Sequence, residues 1–104
     1  MDTAQTIDEL IRQIVELAHP LKVFLFGSAA TGNMTEHSDI DLLIVMPEGT
    51  HRRQTAQHLY RNISNVKTAY DLVVATVSDL ERHATDSGLV YRSALEEGKL
   101  LYAI

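Results

Sequence analysis

Three aspartates are the residues of this sequence whose type and spacing best fit a chemical role. Asp39 and Asp41 stand two positions apart at the start of one apolar stretch, and Asp71 opens another. Residues i and i+2 of a strand point to the same face, with Cα atoms roughly 6.5–7 Å apart. Side chains at this spacing can converge on cations about 3.5–4 Å apart, the geometry of two-metal phosphoryl and nucleotidyl transfer. The aspartates therefore predict a Mg²⁺ site, because Mg²⁺ prefers carboxylate and phosphate oxygens.

A Gly-Ser pair, Gly27 and Ser28, follows a short apolar stretch in the same part of the chain. A strand-to-helix turn opened by glycine can bring backbone N–H groups close to a phosphate, and the serine hydroxyl adds a donor. Taken singly, the pair also fits a tight turn followed by a helix N-cap. Asp39 and Asp41 alone would equally fit a solvated strand edge. Together with Asp71 the pieces describe a site for a metal-bound nucleotide.

The elements that must position these residues alternate between strands and helices. The predicted strands are short and apolar: Leu21–Phe26, Asp39–Met46, Ala69–Val77 and an edge strand at Lys99–Ile104. Five helical segments are predicted. The first begins at a capping box on Thr6 and Glu9 and ends before Pro20, and the second is a single turn closed by Gly32. The third runs from a Thr50 cap to about Val66, the fourth opens at a second capping box on Ser78, and the last covers Leu89–Glu97. The class is α/β or α+β. The 12-residue gap between the first two strands is too short for a crossover helix with its loops, which favours a mixed sheet covered by helices.

Composition limits the functions that the chain can have. It has 104 residues, which is room for one domain, with 45 % hydrophobic and 22 % charged residues and no cysteine. These values exclude a disordered chain, a disulfide scaffold and thiol catalysis. The longest apolar run is Leu42–Met46, and the acidic N-terminus does not resemble a signal peptide. We therefore expect a cytoplasmic protein with no membrane partner. Its net charge of −5 opposes general nucleic-acid binding.

The aspartates and the Gly-Ser pair together resemble a known family. Gly27-Ser28, ten further residues and then Asp39-Ile40-Asp41 are similar to the G-S-x10-D-x-D signature of the DNA polymerase β nucleotidyltransferase superfamily. More narrowly, the chain resembles the minimal nucleotidyltransferase (MNT) domains, and the likeness extends through the C-terminal stretch 94–102. The resemblance implies that Gly27 and Ser28 hold a nucleoside triphosphate. It further implies that Asp39 and Asp41 coordinate two Mg²⁺ ions, and that Asp71 ligates one of them and helps to activate the attacking hydroxyl.

The sequence departs from the family where arginines often follow the Gly-Ser pair (G-S-R-A-R-G), because Ala29 and Thr31 stand at those positions. Lost cations beside a triphosphate weaken charge neutralisation, a main catalytic effect in this chemistry. Lys22, Arg52 or Arg53 are the candidates to compensate. The run from His51 to Arg53 otherwise fits a solvated face, or a contact to phosphate or to an acidic partner.

The resemblance implies an enzyme that moves AMP from ATP to an acceptor hydroxyl and releases pyrophosphate. We expect the acceptor to lie on another protein, because 104 residues leave little beyond a nucleotide-binding half. MNT domains are often antitoxins of HEPN-domain ribonuclease toxins, and some silence the toxin by adding AMP to its tyrosine. The alternatives are a non-catalytic antitoxin that masks the toxin stoichiometrically and a nucleotidyltransferase for small molecules. An exposed terminal strand also allows a homo-oligomer.

Overall fold

The computed structural model describes residues 3–27, 39–83 and 98–104. The helices in these ranges are α1 (Thr3–Ala18), α2 (Arg52–Asn62) and α3 (Val77–His83). The strands are β1 (Lys22–Phe26), β2 (Ile40–Met46), β3 (Tyr70–Thr76) and β4 (Lys99–Ala103). The helical turn expected before residue 38 and the helix expected over 89–97 lie outside the described residues. Among the helices that are described, none is long and apolar enough to cross a membrane.

The four strands form one mixed sheet in the order β3-β2-β1-β4. Strand β1 runs antiparallel to both β2 and β4, whereas β2 and β3 are parallel. The short link between β1 and β2 explains the first pairing, because antiparallel neighbours need no crossover. The predicted class, a small mixed sheet with helices in an α+β arrangement, is confirmed.

The sheet buries one face more completely than the other. The larger apolar cluster joins α1 and α2 to alternate strand residues, among them Leu25, Leu42 and Leu72. The smaller cluster, on the opposite face, is built on Leu43, Val45 and Ala75, with residues of α3 packed against it. Asp41 and Asp71 follow the alternation of this second face, because residues i and i+2 of a strand share a side. The candidate aspartates therefore lie on the face turned away from α1 and α2.

The predicted start of α1 was wrong. The helix begins at Thr3, so Thr6 is not its N-cap but a buried residue inside its first turns. Its end before Pro20 is confirmed, since the helix stops at Ala18. His19 then takes a left-handed conformation with φ of 50° and donates its N–H to the carbonyl of Val15. Proline lacks the N–H that a further helical turn would use.

The predicted caps of α2 and α3 were also misplaced by one or two residues. His51 caps α2, its Nδ1 accepting the N–H of Gln54 at 3.2 Å, whereas the Thr50 hydroxyl donates to the carbonyl of Pro47. Helix α2 ends at Asn62 and does not reach residue 66. At α3 the reciprocal bonds of a capping box join Thr76 and Asp79, so the helix starts before Ser78. The Ser78 N–H and hydroxyl instead donate to the Glu48 carboxylate.

Candidate functional site

The sheet brings the described candidate residues to one of its ends. The parallel strands β2 and β3 begin there, and the antiparallel β1 finishes there. Asp41 is the register partner of Phe26 on one side and of Asp71 on the other. Neighbouring strands lie about 4.8 Å apart, so Asp41 and Asp71 are adjacent on the same face. Asp39 lies one residue before β2 and is exposed.

Gly27 closes this end of the sheet directly against Asp41. Its φ of +72° lies in the left-handed region that disfavours other residues. A Cβ atom at this position would lie 2.3 Å from Oδ2 of Asp41 and 3.2 Å from its Cγ. Glycine is therefore required here for its backbone conformation and for its lack of a side chain. The sequence motif predicted the turn, while the contact with the carboxylate becomes visible only in the fold.

Asp41 carries the strongest electrostatic perturbation of the three aspartates. Partial burial is the main cause that raises the pKa of its carboxyl, and the negative charges of Asp71 and Asp39 raise it further. Within the described residues, none of the three aspartates forms a salt bridge or a side-chain hydrogen bond. Three carboxylates without a cationic partner repel one another, so this end of the sheet favours a positively charged ligand.

The aspartates provide suitable donors for Mg²⁺, and two of them, Asp41 and Asp71, are in register on neighbouring strands. In the described ranges, no group of three or more His, Cys, Asp or Glu side chains is arranged closely enough to hold a metal ion. Carboxylate oxygens are nevertheless the ligands that Mg²⁺ uses, and two or three suffice when substrate phosphates and waters complete the shell. The donor set at this end of the sheet therefore fits Mg²⁺. Ser28 lies outside the described residues.

The cations suggested as substitutes for the missing arginines are not at this end of the sheet. Lys22 pairs with Val45 at the start of β1, four residues or about 13 Å from Phe26 along the strand. Arg52 forms a salt bridge with Asp79 at 3.3 Å, where α2 and α3 begin. Arg53 lines the same region as Arg52, beside Val74. The idea that Lys22 or Arg52 compensates for the lost charges is therefore wrong.

Tyr60 is a residue beside the site that sequence reasoning misassigned. Its helical spacing with Ala56, Leu59 and Ile63 in the sequence predicts a place on the inner face of the helix, yet the residue is 45 % exposed. Its hydroxyl accepts the backbone N–H of Leu72 at 2.8 Å, next to Asp71, and its ring stacks on Tyr70 with centroids 5.8 Å apart. Helical periodicity cannot predict this hydrogen bond, because the bond depends on how the outer edge of β3 is placed against α2.

Comparison with known protein families identifies the family of this chain. The family model of the nucleotidyltransferase domain matches residues 7–101. The chain therefore belongs to the nucleotidyltransferase domain family, and the resemblance seen in the sequence is confirmed. No curated protein matches the sequence.

Solved structures share the fold over nearly the whole chain. A Sulfolobus solfataricus protein assigned as a nucleotidyltransferase is 20 % identical, with a TM-score of 0.64 over 95 % of this chain and 78 % of its own. A toxin–antitoxin complex with AMP-PNP contains a chain 23 % identical, with a TM-score of 0.61 over 99 % and 75 %. The complex of tri-AMPylated Shewanella oneidensis HEPN toxin with MNT antitoxin gives 20 % identity and a TM-score of 0.51 over 96 % and 69 %. These similarities establish a nucleotidyltransferase-like α+β fold.

Proposed function

We propose that this chain is a Mg²⁺-dependent nucleotidyltransferase that moves AMP from ATP to an acceptor hydroxyl. The observation that carries the proposal is the packing of Gly27 against the Asp41 carboxylate, with Asp71 beside Asp41 in register. This arrangement places a glycine turn and adjacent carboxylates at one end of the sheet. A triphosphate needs both, because the turn admits its oxygens and the carboxylates hold the cations that neutralise them.

Each residue of the motif has a distinct role in the proposed reaction. Gly27 and Ser28 hold the triphosphate, and Asp39 and Asp41 hold two Mg²⁺ ions, with Asp71 as a further ligand to one of them. Bound Mg²⁺ supplies charge neutralisation on the phosphate oxygens. Asp71 helps to activate the acceptor hydroxyl by taking its proton, and the hydroxyl oxygen bonds to the α-phosphorus. The bond from that phosphorus to the bridging oxygen breaks, and pyrophosphate leaves.

We place the acceptor hydroxyl on a tyrosine of a HEPN-domain toxin, which makes this chain an antitoxin that acts by adenylylation. Two of the similar solved structures are toxin–antitoxin complexes, one with AMP-PNP and one with a tri-AMPylated HEPN toxin. The exposed positions of Asp39 and Asp71 support a large acceptor, because a protein side chain can approach them from solvent.

A second candidate function is an antitoxin that masks the toxin without catalysis. The location of Lys22 and Arg52 at the far end of the sheet favours it, since neither side chain replaces the arginines that relatives carry after the Gly-Ser pair. A site with fewer cations neutralises the transition-state charge less well.

Label transfer separates the two functions. The protein is incubated with α-³²P-ATP, Mg²⁺ and a HEPN-domain protein, and label on the HEPN protein is measured. We expect label with the native chain and none with Asp39→Asn/Asp41→Asn. The double variant Asp8→Asn/Glu16→Gln on the exposed side of α1 removes the same two charges and should keep the label. A stable complex that never becomes labelled, and that neutralises the toxin equally well with the double variant, would establish masking.

A further inference from the structure

A cavity of about 520 Å³ lies at the outer edge of β3, beside the start of α2. The described residues that line it are Thr50, His51, Arg52, Arg53, Ala56 and Val74. Two of them are arginines, one is histidine and none is acidic. Asp71 precedes Val74 by three residues, about 10 Å along β3, so the cavity is separate from the aspartate end of the sheet.

The polar side chains of this cavity are hydrogen-bond donors. Arg53 forms no salt bridge with any residue in the described ranges, and Arg52 uses one nitrogen on Asp79 while its guanidinium has further N–H groups. His51 accepts the Gln54 N–H through Nδ1, which leaves the proton of its neutral ring on Nε2. Because His51 itself caps α2, an anion in the cavity would be bound by the arginine side chains and not by the N–H groups at the start of the helix.

The backbone of β3 adds a donor at the same place. Strand β3 is the outer strand of the sheet, and its outward N–H groups recur at every second residue. The Leu72 N–H is capped by the Tyr60 hydroxyl, and the Thr76 N–H by the Asp79 carboxylate. The N–H of Val74, a buried residue, faces outward between them, and no side chain in the described ranges caps it.

We propose that this cavity is a second anion site, which takes a phosphate group of a small molecule of the pyrophosphate class. Arginine forks and a backbone N–H match phosphate oxygens, and charge-assisted bonds to them are strong. The caps at Leu72 and Thr76 stand four residues, about 13 Å, apart. This opening admits one phosphate-bearing group but not an added strand. The net charge of −5 opposes a long polyanion.

Titration calorimetry with inorganic pyrophosphate tests the site. The protein is the Asp39→Asn/Asp41→Asn variant in EDTA, so that metal-dependent binding at the aspartates does not contribute. We expect one equivalent to bind, and Arg53→Gln to weaken binding about tenfold or more, the effect of losing a hydrogen bond to a charged group. Arg61→Gln, an equal charge change near the other end of α2, should leave the affinity within about twofold. The Val74 amide should shift in the ¹⁵N NMR spectrum.

Other outcomes would overturn the assignment. No binding, or equal weakening by Arg53→Gln and Arg61→Gln, would show that the cavity is not a defined phosphate site. A ten-nucleotide RNA or a deca-glutamate peptide serves as a competing probe under the same conditions. Tighter binding of either probe than of pyrophosphate would replace the small phosphate with a macromolecular ligand. Because the test is done without active aspartates, its failure leaves the proposed transferase reaction intact.

Discussion

Adding one methyl group at Gly27 tests the candidate site, and Gly49 provides a matched control. Both glycines have positive φ, +72° and +85°, but a Cβ at Gly49 would meet nothing within 4 Å. A Cβ at Gly27 would lie 2.3 Å from Oδ2 of Asp41. The two alanine variants therefore share the backbone strain and differ in the contact with the carboxylate.

The expected magnitudes separate stability from activity. An L-residue in the left-handed region costs roughly 1–2 kcal/mol, so Gly27→Ala and Gly49→Ala should lower the free energy of unfolding by similar amounts. In Gly27→Ala the Asp41 carboxylate must also move by about 1 Å to restore an ordinary contact distance. Its end is free to turn, so the displacement adds little to the loss of stability. A 1 Å misplacement at a reaction centre, however, costs on the order of 100-fold in rate.

Urea denaturation followed by circular dichroism measures stability, and transfer of label from α-³²P-ATP to the HEPN protein measures activity. We expect Gly27→Ala to lose about 100-fold in transfer rate, and Gly49→Ala to stay close to the native rate. Equal transfer rates in the two variants, at equal stability, would refute the assignment of Asp41 to the reaction. A much larger loss of stability in Gly27→Ala would instead show that the Asp41 side chain cannot turn aside.

Three further predictions concern charge and hydrogen bonding. Burial and the neighbouring carboxylates raise the pKa of Asp41 in the folded state. Between the unfolded pKa of about 3.9 and this raised value the folded protein binds more protons than the unfolded one, so stability falls as the pH rises through that interval. Asp41→Asn should therefore raise the urea midpoint at pH 7 and give no gain below about pH 3.9. Tyr60→Phe removes the acceptor for the Leu72 N–H, which should cost about 1 kcal/mol and speed hydrogen exchange at that amide; unchanged exchange would contradict the bond. Gln13 is buried and forms two hydrogen bonds with the Ser64 backbone. Gln13→Ala should lower the free energy of unfolding by about 2–3 kcal/mol, measured by urea denaturation, and a loss below about 0.5 kcal/mol would show that water replaces both bonds.

The sequence was sufficient for the four strands and for the mixed sheet. Strands β1 to β4 lie within one residue of their predicted bounds, because short apolar stretches between Pro, Gly and Asp have few alternatives. Helix starts were harder to predict, since neighbouring residues such as Thr50 and His51 both offer capping groups. The preceding turn chooses between them, because the Thr50 hydroxyl is already used on the carbonyl of Pro47.

The candidate site was predictable as a set of residues but not as a geometry. The spacing of Asp39 and Asp41 places them together in any strand. The pairing of Asp41 with Asp71, and its contact with Gly27, depend on the register of three strands. Register is set by packing of the whole sheet, so no local pattern could reveal these contacts.

The directions of three strands hold the aspartates and the two arginines at opposite ends of this small sheet. Because β2 and β3 are parallel, Asp41 and Asp71 start side by side, and the antiparallel β1 returns Gly27 to them. The same directions carry the ends of β2 and β3 toward the start of α2, where Arg52 and Arg53 lie. Asp71 and Val74, which lines the arginine cavity, are about 10 Å apart along β3, which exceeds the Debye length of about 8 Å at physiological ionic strength. The charges that we propose for binding Mg²⁺ and those that we propose for binding phosphate are therefore largely screened from each other.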